Sequence, residues 1–135
     1  MTKIKQLIEM SKKIINTDKA PAPIGPYSQA ILSEGTLYVS GQIAIDSSSG
    51  QIVMDDITKE THQVMKNMGF ILQAAGLDYS NVVKCGIFVA NMGDFAAINA
   101  AYGEYFKENP PARETVEVSC LPKNVNVEIS CVAVK

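Results

Sequence analysis

Two charged residues stand where charge is costly. Arg113 follows Pro110-Pro111-Ala112 at the head of a β-rich run, and Glu128 sits in the middle of the otherwise apolar strand pattern Val127–Ile129. Arginine grips a carboxylate at two points through its planar fork. A carboxylate in apolar surroundings keeps its proton to higher pH and can manage a proton near neutrality. Each is thus a residue type that can do chemistry, the cation on a carboxylate and the shielded carboxylate on a proton. Each residue also has a plainer reading. Arg113 could pair with Glu114 or Glu117 on the surface, and Glu128 could be a solvated edge position.

Other residues could join them. Tyr27 comes directly after Gly25-Pro26, where it could cap the edge of the core or line a pocket. Ser40-Gly41 lies inside a strand pattern, and glycine there marks a bulge or the close approach of another group. Asn99 falls on a helix beside apolar residues and needs hydrogen-bond partners, from the protein or from a ligand. Thr115 shares a strand face with Arg113.

The elements that must position these residues follow from periodicity. Strands are expected over 12–17, 28–32, 36–43 and 82–90, the last nearly all apolar and so central. Glu34-Gly35 is a tight turn and Ser47–Gly50 a polar one. Asp55-Asp56 opens a helix with an apolar stripe of Ile57, Val64, Met68, Ile71, Leu72 and Ala75, closed by Gly76. Asp94 opens a second helix running to about Lys107, with Phe95, Ile98, Tyr102 and Phe106 as its inner stripe. The segments 115–118 and 127–129 read as a hairpin around Leu121–Asn124, with Arg113, Thr115, Glu117 and Ser119 on one face. In that register Glu128 faces Glu117 or Ser119, and Arg113 lies on the order of 13 Å away. A small substrate could hardly bridge that gap, so the spacing predicts a pocket built from two chains.

The order βββαβαββ gives an α+β domain: a mixed six-stranded sheet with both helices on one face. The other face would carry Arg113, Thr115 and Glu117. The domain spans 12–135. Residues 1–11 form an extension, and an isolated helix of that length is marginal.

Composition narrows the function. The net charge is −2 and no basic patch is visible, which disfavours nucleic acid and membrane surfaces as partners. There is no apolar run of membrane-spanning length and no signal peptide. Cys85, Cys120 and Cys131 lack metal-site spacing and read as reduced thiols of a cytoplasmic protein. His62, the only histidine, reads as a surface residue, and Met54, Met65 and Met68 read as core or flank.

Several stretches also resemble one family. APAPIGPYSQAI at 20–31, SGQIAID at 40–46, AAGLDYSNVVKCGIFVANMGDFAAINAAYGEYF at 74–106, PAR at 111–113, VEV at 116–118, LP at 121–122 and VEISCVAV at 127–134 are similar, in order, to the motifs of the RidA/YjgF family. These are small enamine/imine deaminases, also called L-PSP endoribonucleases, and the likeness covers roughly 12–135. It implies a chorismate-mutase-like fold in a homotrimer with active sites at subunit interfaces. It also implies hydrolysis of 2-imino acids such as 2-iminobutanoate and 2-iminopropanoate to 2-ketoacids and ammonia, with no metal or organic cofactor. On the matching positions Arg113, Glu128 and Tyr27 take the catalytic places, and Ser40, Gly41, Asn99 and Thr115 the substrate-binding ones. Two positions depart from the pattern: Thr115 stands where many members have cysteine, and Pro110 where members often have an aromatic residue. A small-carboxylate (2-ketoacid) binder without turnover is the alternative, and an endoribonuclease or translation inhibitor a weaker one.

Overall fold

The computed structural model describes residues 2–4 and 11–135. The N-terminal arm expected over 1–9 falls mostly outside them. Six strands and two main helices alternate in the expected order. The strands are β1 (Lys13–Ile15), β2 (Ala30–Ser33), β3 (Thr36–Gln42), β4 (Val82–Val89), β5 (Ala112–Glu117) and β6 (Val127–Val134). The helices are α1 (Ile57–Ala74) and α2 (Phe95–Gly103).

Local chemistry accounts for the boundaries. β2 and β3 join through Glu34 and Gly35, both at positive φ, the turn geometry that matches the twist of paired strands. Asp56 caps α1 by accepting from the Lys59 N–H at 2.7 Å. Gly76, at φ +77°, lets the chain leave α1. The expected cap of α2 is absent: Asp94 makes no side-chain capping bond, and Asn91 instead caps a 3-10 turn over Met92–Asp94 that leads into the helix. α2 stops at Gly103, short of Lys107.

The sheet runs β1-β2-β3-β6-β4-β5. The expected hairpin of 115–118 with 127–129 does not form. β5 lies parallel to β4, with Cys85 beside Arg113 and Ile87 beside Thr115. β6 inserts between β3 and β4, antiparallel to both. Two facts explain this. The link between β5 and β6 contains a 3-10 turn with Lys123 and Asn124 at positive φ, which is no two-residue hairpin turn. And β4, apolar except for Lys84, recruits a neighbour on each edge. The link crosses the end of β4, where Val118 N–H donates to Val89 and Ala90 N–H to Asn126.

Both helices pack on one face. Leu37, Val64, Met65, Met68, Ile71, Leu72, Ile87, Ile98 and Ile129 are fully or almost fully buried between the layers, each contributing about 1.5–3 kcal/mol. Met54 is exposed at the flank. A smaller apolar cluster of Ile43, Leu121 and Val125 closes one end of the opposite face.

The faces also differ from expectation. Arg113 and Thr115 point to the helix side, with the core residues Cys85 and Ile87 as their strand neighbours. The open face carries Tyr38, Phe88, Val116 and Val132 around a Lys84–Glu114 ion pair of 3.0 Å. It is therefore largely apolar rather than lined by charge.

Candidate active site

The seven residues singled out by sequence fall into two corners of the molecule. The first gathers Tyr27, Ser40, Gly41 and Glu128. The second gathers Asn99, Arg113 and Thr115.

The first corner is a small cleft, about 50 Å³, lined by Pro21, Ala22, Ile24, Tyr27, Gln29, Gly41, Gln42, Ile43, Ile45, Pro122 and Glu128. Glu128 sits on a central strand, opposite Phe88 of β4, so it is no edge residue. Its neighbours Val127 and Ile129 face the core, which turns Glu128 to the other face. It is half-buried, and burial raises its carboxyl above the ordinary glutamate value. Among the described residues no lysine or arginine lines the cleft to oppose that shift. Any side chain at Gly41 would have to push the Glu128 carboxylate aside. A Cβ there would lie 2.6 Å from Glu128 Oε2, and the β3–β6 register shifts between Val39 and Gln42. Both sequence readings of this glycine, bulge and close approach, are thus present.

Tyr27 is held by its own loop. Its hydroxyl accepts from the Ile24 N–H at 3.2 Å, which leaves the O–H proton free to donate. The Ser40 hydroxyl donates to the Ser28 carbonyl at 2.6 Å, and Ser40 N–H to Gln29 O at 2.9 Å. Ser40 thereby fastens the Tyr27 loop to β3.

In the second corner Arg113 donates from Nη1 to Asn99 Oδ1 at 2.6 Å. Its guanidinium carbon lies 5.0 Å from the Tyr102 ring centre and 5.7 Å from that of Phe95. Such stacking contributes about 0.5–2 kcal/mol. Neither ion pair considered for Arg113 forms, because Glu114 binds Lys84 and Glu117 accepts from Met92 N–H. Phe95 is exposed beside the guanidinium rather than inside the stripe of α2, and Asn99 is exposed too. Thr115 Oγ1 and the Tyr102 hydroxyl are buried and make no hydrogen bond among the described residues. Burial is the main cause that raises the Tyr102 hydroxyl and the Cys85 thiol beside it.

Within one chain the corners stay apart. From Arg113 to Glu128 is two strand spacings across and three residues along, about 14 Å between backbones, with the side chains on opposite faces. The separation expected from the hairpin register is thus present, though it arises from a different topology.

Sequence reasoning missed the residues that hold the cleft from behind. Gln29, almost fully buried, donates from its amide to the carbonyls of Thr17, Ala20 and Pro21 and accepts from Thr17 N–H at 2.8 Å. Asn67 on α1, fully buried, donates to the carbonyls of Ile43 and Ile45. Neither type of residue favours burial, but nothing in the local pattern signals which polar residue will be covered.

His62 bonds Tyr105 Oη at 2.8 Å and Glu104 at 2.9 Å, tying α1 to the end of α2 and belonging to neither corner. Among the described residues no three His, Cys, Asp or Glu side chains gather as metal ligands, and no helix is long and apolar enough to cross a membrane.

The endoribonuclease L-PSP family matches residues 17–135. The chain is 49% identical over 124 residues to the human 2-iminobutanoate/2-iminopropanoate deaminase, covering 92% of this chain and 90% of that one. A Rid-family protein of Yersinia pestis shares its fold with a TM-score of 0.88 at 47% identity, over 92% of this chain and 99% of that one. So does E. coli TdcF, solved with bound serine, at 36% identity and a TM-score of 0.88 over the same shares.

Proposed function

Because the chain belongs to the endoribonuclease L-PSP family, the RidA/YjgF group, we propose that it hydrolyses 2-imino acids, such as 2-iminobutanoate and 2-iminopropanoate, to 2-ketoacids and ammonia. The observation that carries the reading is the pairing of two corners that one chain cannot bring together: a stacked, oriented guanidinium and a half-buried, unpaired carboxylate. The identity to human 2-iminobutanoate/2-iminopropanoate deaminase supports the substrate class.

Arg113 takes the substrate carboxylate, held in place by Asn99 and the rings of Phe95 and Tyr102. Glu128, kept basic by burial, draws a proton from a water aimed at the imine carbon. The water oxygen bonds to carbon as the C=N electrons move to nitrogen, which takes the proton back from Glu128. The carbinolamine then passes its hydroxyl proton through Glu128 to the nitrogen, and the C–N bond breaks to give ketone and ammonia. Tyr27 supplies a hydroxyl donor to the substrate. Gly41 leaves room for the Glu128 carboxylate, and Ile24, Ile43 and Ile45 offer apolar surface to a short side chain.

The two corners meet across an interface between copies, which we take to be a homotrimer with the apolar open sheet faces turned inward. The cytoplasm suits its three free thiols, two of them buried. A second reading, retention of small carboxylates without turnover, draws on the serine bound to TdcF.

The deciding experiment generates 2-iminobutanoate from threonine with a dehydratase and traps unreacted imine with semicarbazide. Wild-type protein lowers the trapped product, and neither Arg113→Ala nor Glu128→Ala does. A folded wild type without effect would overturn the deaminase reading in favour of the binder.

A further inference from the structure

Glu60 is the one fully buried acidic side chain among the described residues. It lies in the first turns of α1, where a carboxylate suits the positive end of the helix, yet it faces inward. Its two oxygens are both committed to one residue. Oε2 accepts from the Asn126 backbone N–H at 2.8 Å, and Oε1 from the Asn126 side-chain amide at 2.8 Å. The Asn126 carbonyl in turn accepts from Ala90 N–H at 3.0 Å, just past the end of β4. Residue 126 is thus pinned on every polar group it has to offer on that side, immediately before β6 begins at Val127.

Glu128 stands two residues further on. Its own carboxylate has no hydrogen-bond partner among the described residues, so nothing at its tip fixes where it sits. Its position is set by the backbone of β6 and by the space above Gly41. The entry to β6 is irregular, with Lys123 and Asn124 at positive φ just upstream. A buried carboxylate is costly unless its partners are complete, as they are here.

We propose that Glu60 and Asn126 form a positioning clamp that sets the depth and direction of Glu128 in the cleft. The clamp rests on the deaminase reading and adds two residues to it, neither touching substrate. Because Arg113 holds the substrate carboxylate from the other corner, loosening the clamp lowers kcat and leaves KM nearly unchanged.

Initial rates of 2-iminobutanoate hydrolysis on purified full-length protein test this. Glu60→Leu removes both bonds, and kcat falls 10-fold or more with KM within twofold. Glu60→Gln keeps kcat within threefold, since its oxygen still accepts from the Asn126 N–H and its amide can donate to a reoriented Asn126 side chain. Asn126→Asp sets two carboxylates face to face and lowers kcat 10-fold or more. Combining Glu60→Gln with Asn126→Asp restores a donor between them and recovers kcat to within threefold of Glu60→Gln alone. If Glu60→Leu does not fold, Asn126→Asp and the double variant carry the comparison. Tyr79→Phe, which deletes a different buried bond to the Met65 carbonyl, lowers the melting temperature without changing kcat. Unchanged kcat in folded Glu60→Leu or Asn126→Asp protein overturns the clamp, and so does a rise in KM that matches any loss. Wild-type kcat in Glu128→Gln would instead remove the base role of Glu128 on which the clamp rests, and a folded wild type that hydrolyses no 2-iminobutanoate would remove the deaminase reading itself.

Discussion

The two corners of the site solve opposite electrostatic problems. Arg113 is surrounded: Asn99 accepts a hydrogen bond from it, and two aromatic rings flank its charge. Glu128 is deprived: burial raises its affinity for a proton, and among the described residues its cleft has no lysine or arginine. Had the chain placed them side by side, the ion pair would have pulled the carboxylate below its ordinary range and spent the guanidinium on an internal partner. Separation on opposite faces of one sheet prevents that pairing within one chain.

Ways to break that contrast follow in order of size. Glu128→Gln removes the base, and kcat falls roughly 100-fold or more, the scale of one proton-transfer group. The same loss is expected from Gly41→Val, whose side chain displaces the carboxylate. Steady-state rates on folded protein check both. Arg113→Lys keeps charge but loses the fork, and KM rises on the order of 10-fold while kcat changes less. Asn99→Ala removes one bond to the guanidinium, worth about 1 kcal/mol, and raises KM only a few-fold.

Two predictions concern protons and stability. With Glu128 acting as base, the rate rises with pH through a midpoint above the ordinary glutamate value of 4.5. That limb disappears in Glu128→Gln. The raised carboxyl also costs stability. Between the unfolded and folded pKa the native state holds more protons, so its stability falls as pH rises through that window. Glu128→Gln therefore melts higher than wild type at pH 7, and the gain shrinks as pH falls toward the ordinary glutamate value of 4.5. Thr115→Val, which deletes a buried hydroxyl without a partner, raises the melting temperature slightly. A melting temperature unchanged or lowered would mean the hydroxyl is satisfied when the protein assembles.

The element order and both helices were legible because their signals are local: the stripe of α1, the Asp56 cap, the Glu34-Gly35 turn. What failed was long-range. Thr115–Val118 and Val127–Ile129 look like hairpin partners because they are close in sequence and strand-like, and periodicity cannot say that β4 will claim an edge of each. That single error put Arg113 and Thr115 on the wrong face. The Asp94 cap failed for a local reason, since Asn91 three residues earlier offers a competing start. Within the site, Gly41 was readable as a close approach, but its partner Glu128 was not, because β3 and β6 meet across most of the chain. The buried roles of Gln29, Asn67 and Glu60 left no trace in pattern, since each looks like an ordinary surface residue until its loop is in place.

The central claim is that one chain brings Arg113 and another brings Glu128 to each site. Arg113→Ala and Glu128→Gln proteins, each inactive alone, can be unfolded together, refolded as mixed oligomers and assayed for 2-iminobutanoate hydrolysis. Mixed oligomers contain interfaces where an intact Arg113 corner faces an intact Glu128 corner, and activity returns to a sizeable fraction of wild type. Mixed oligomers that form but stay inactive would contradict a site shared between chains.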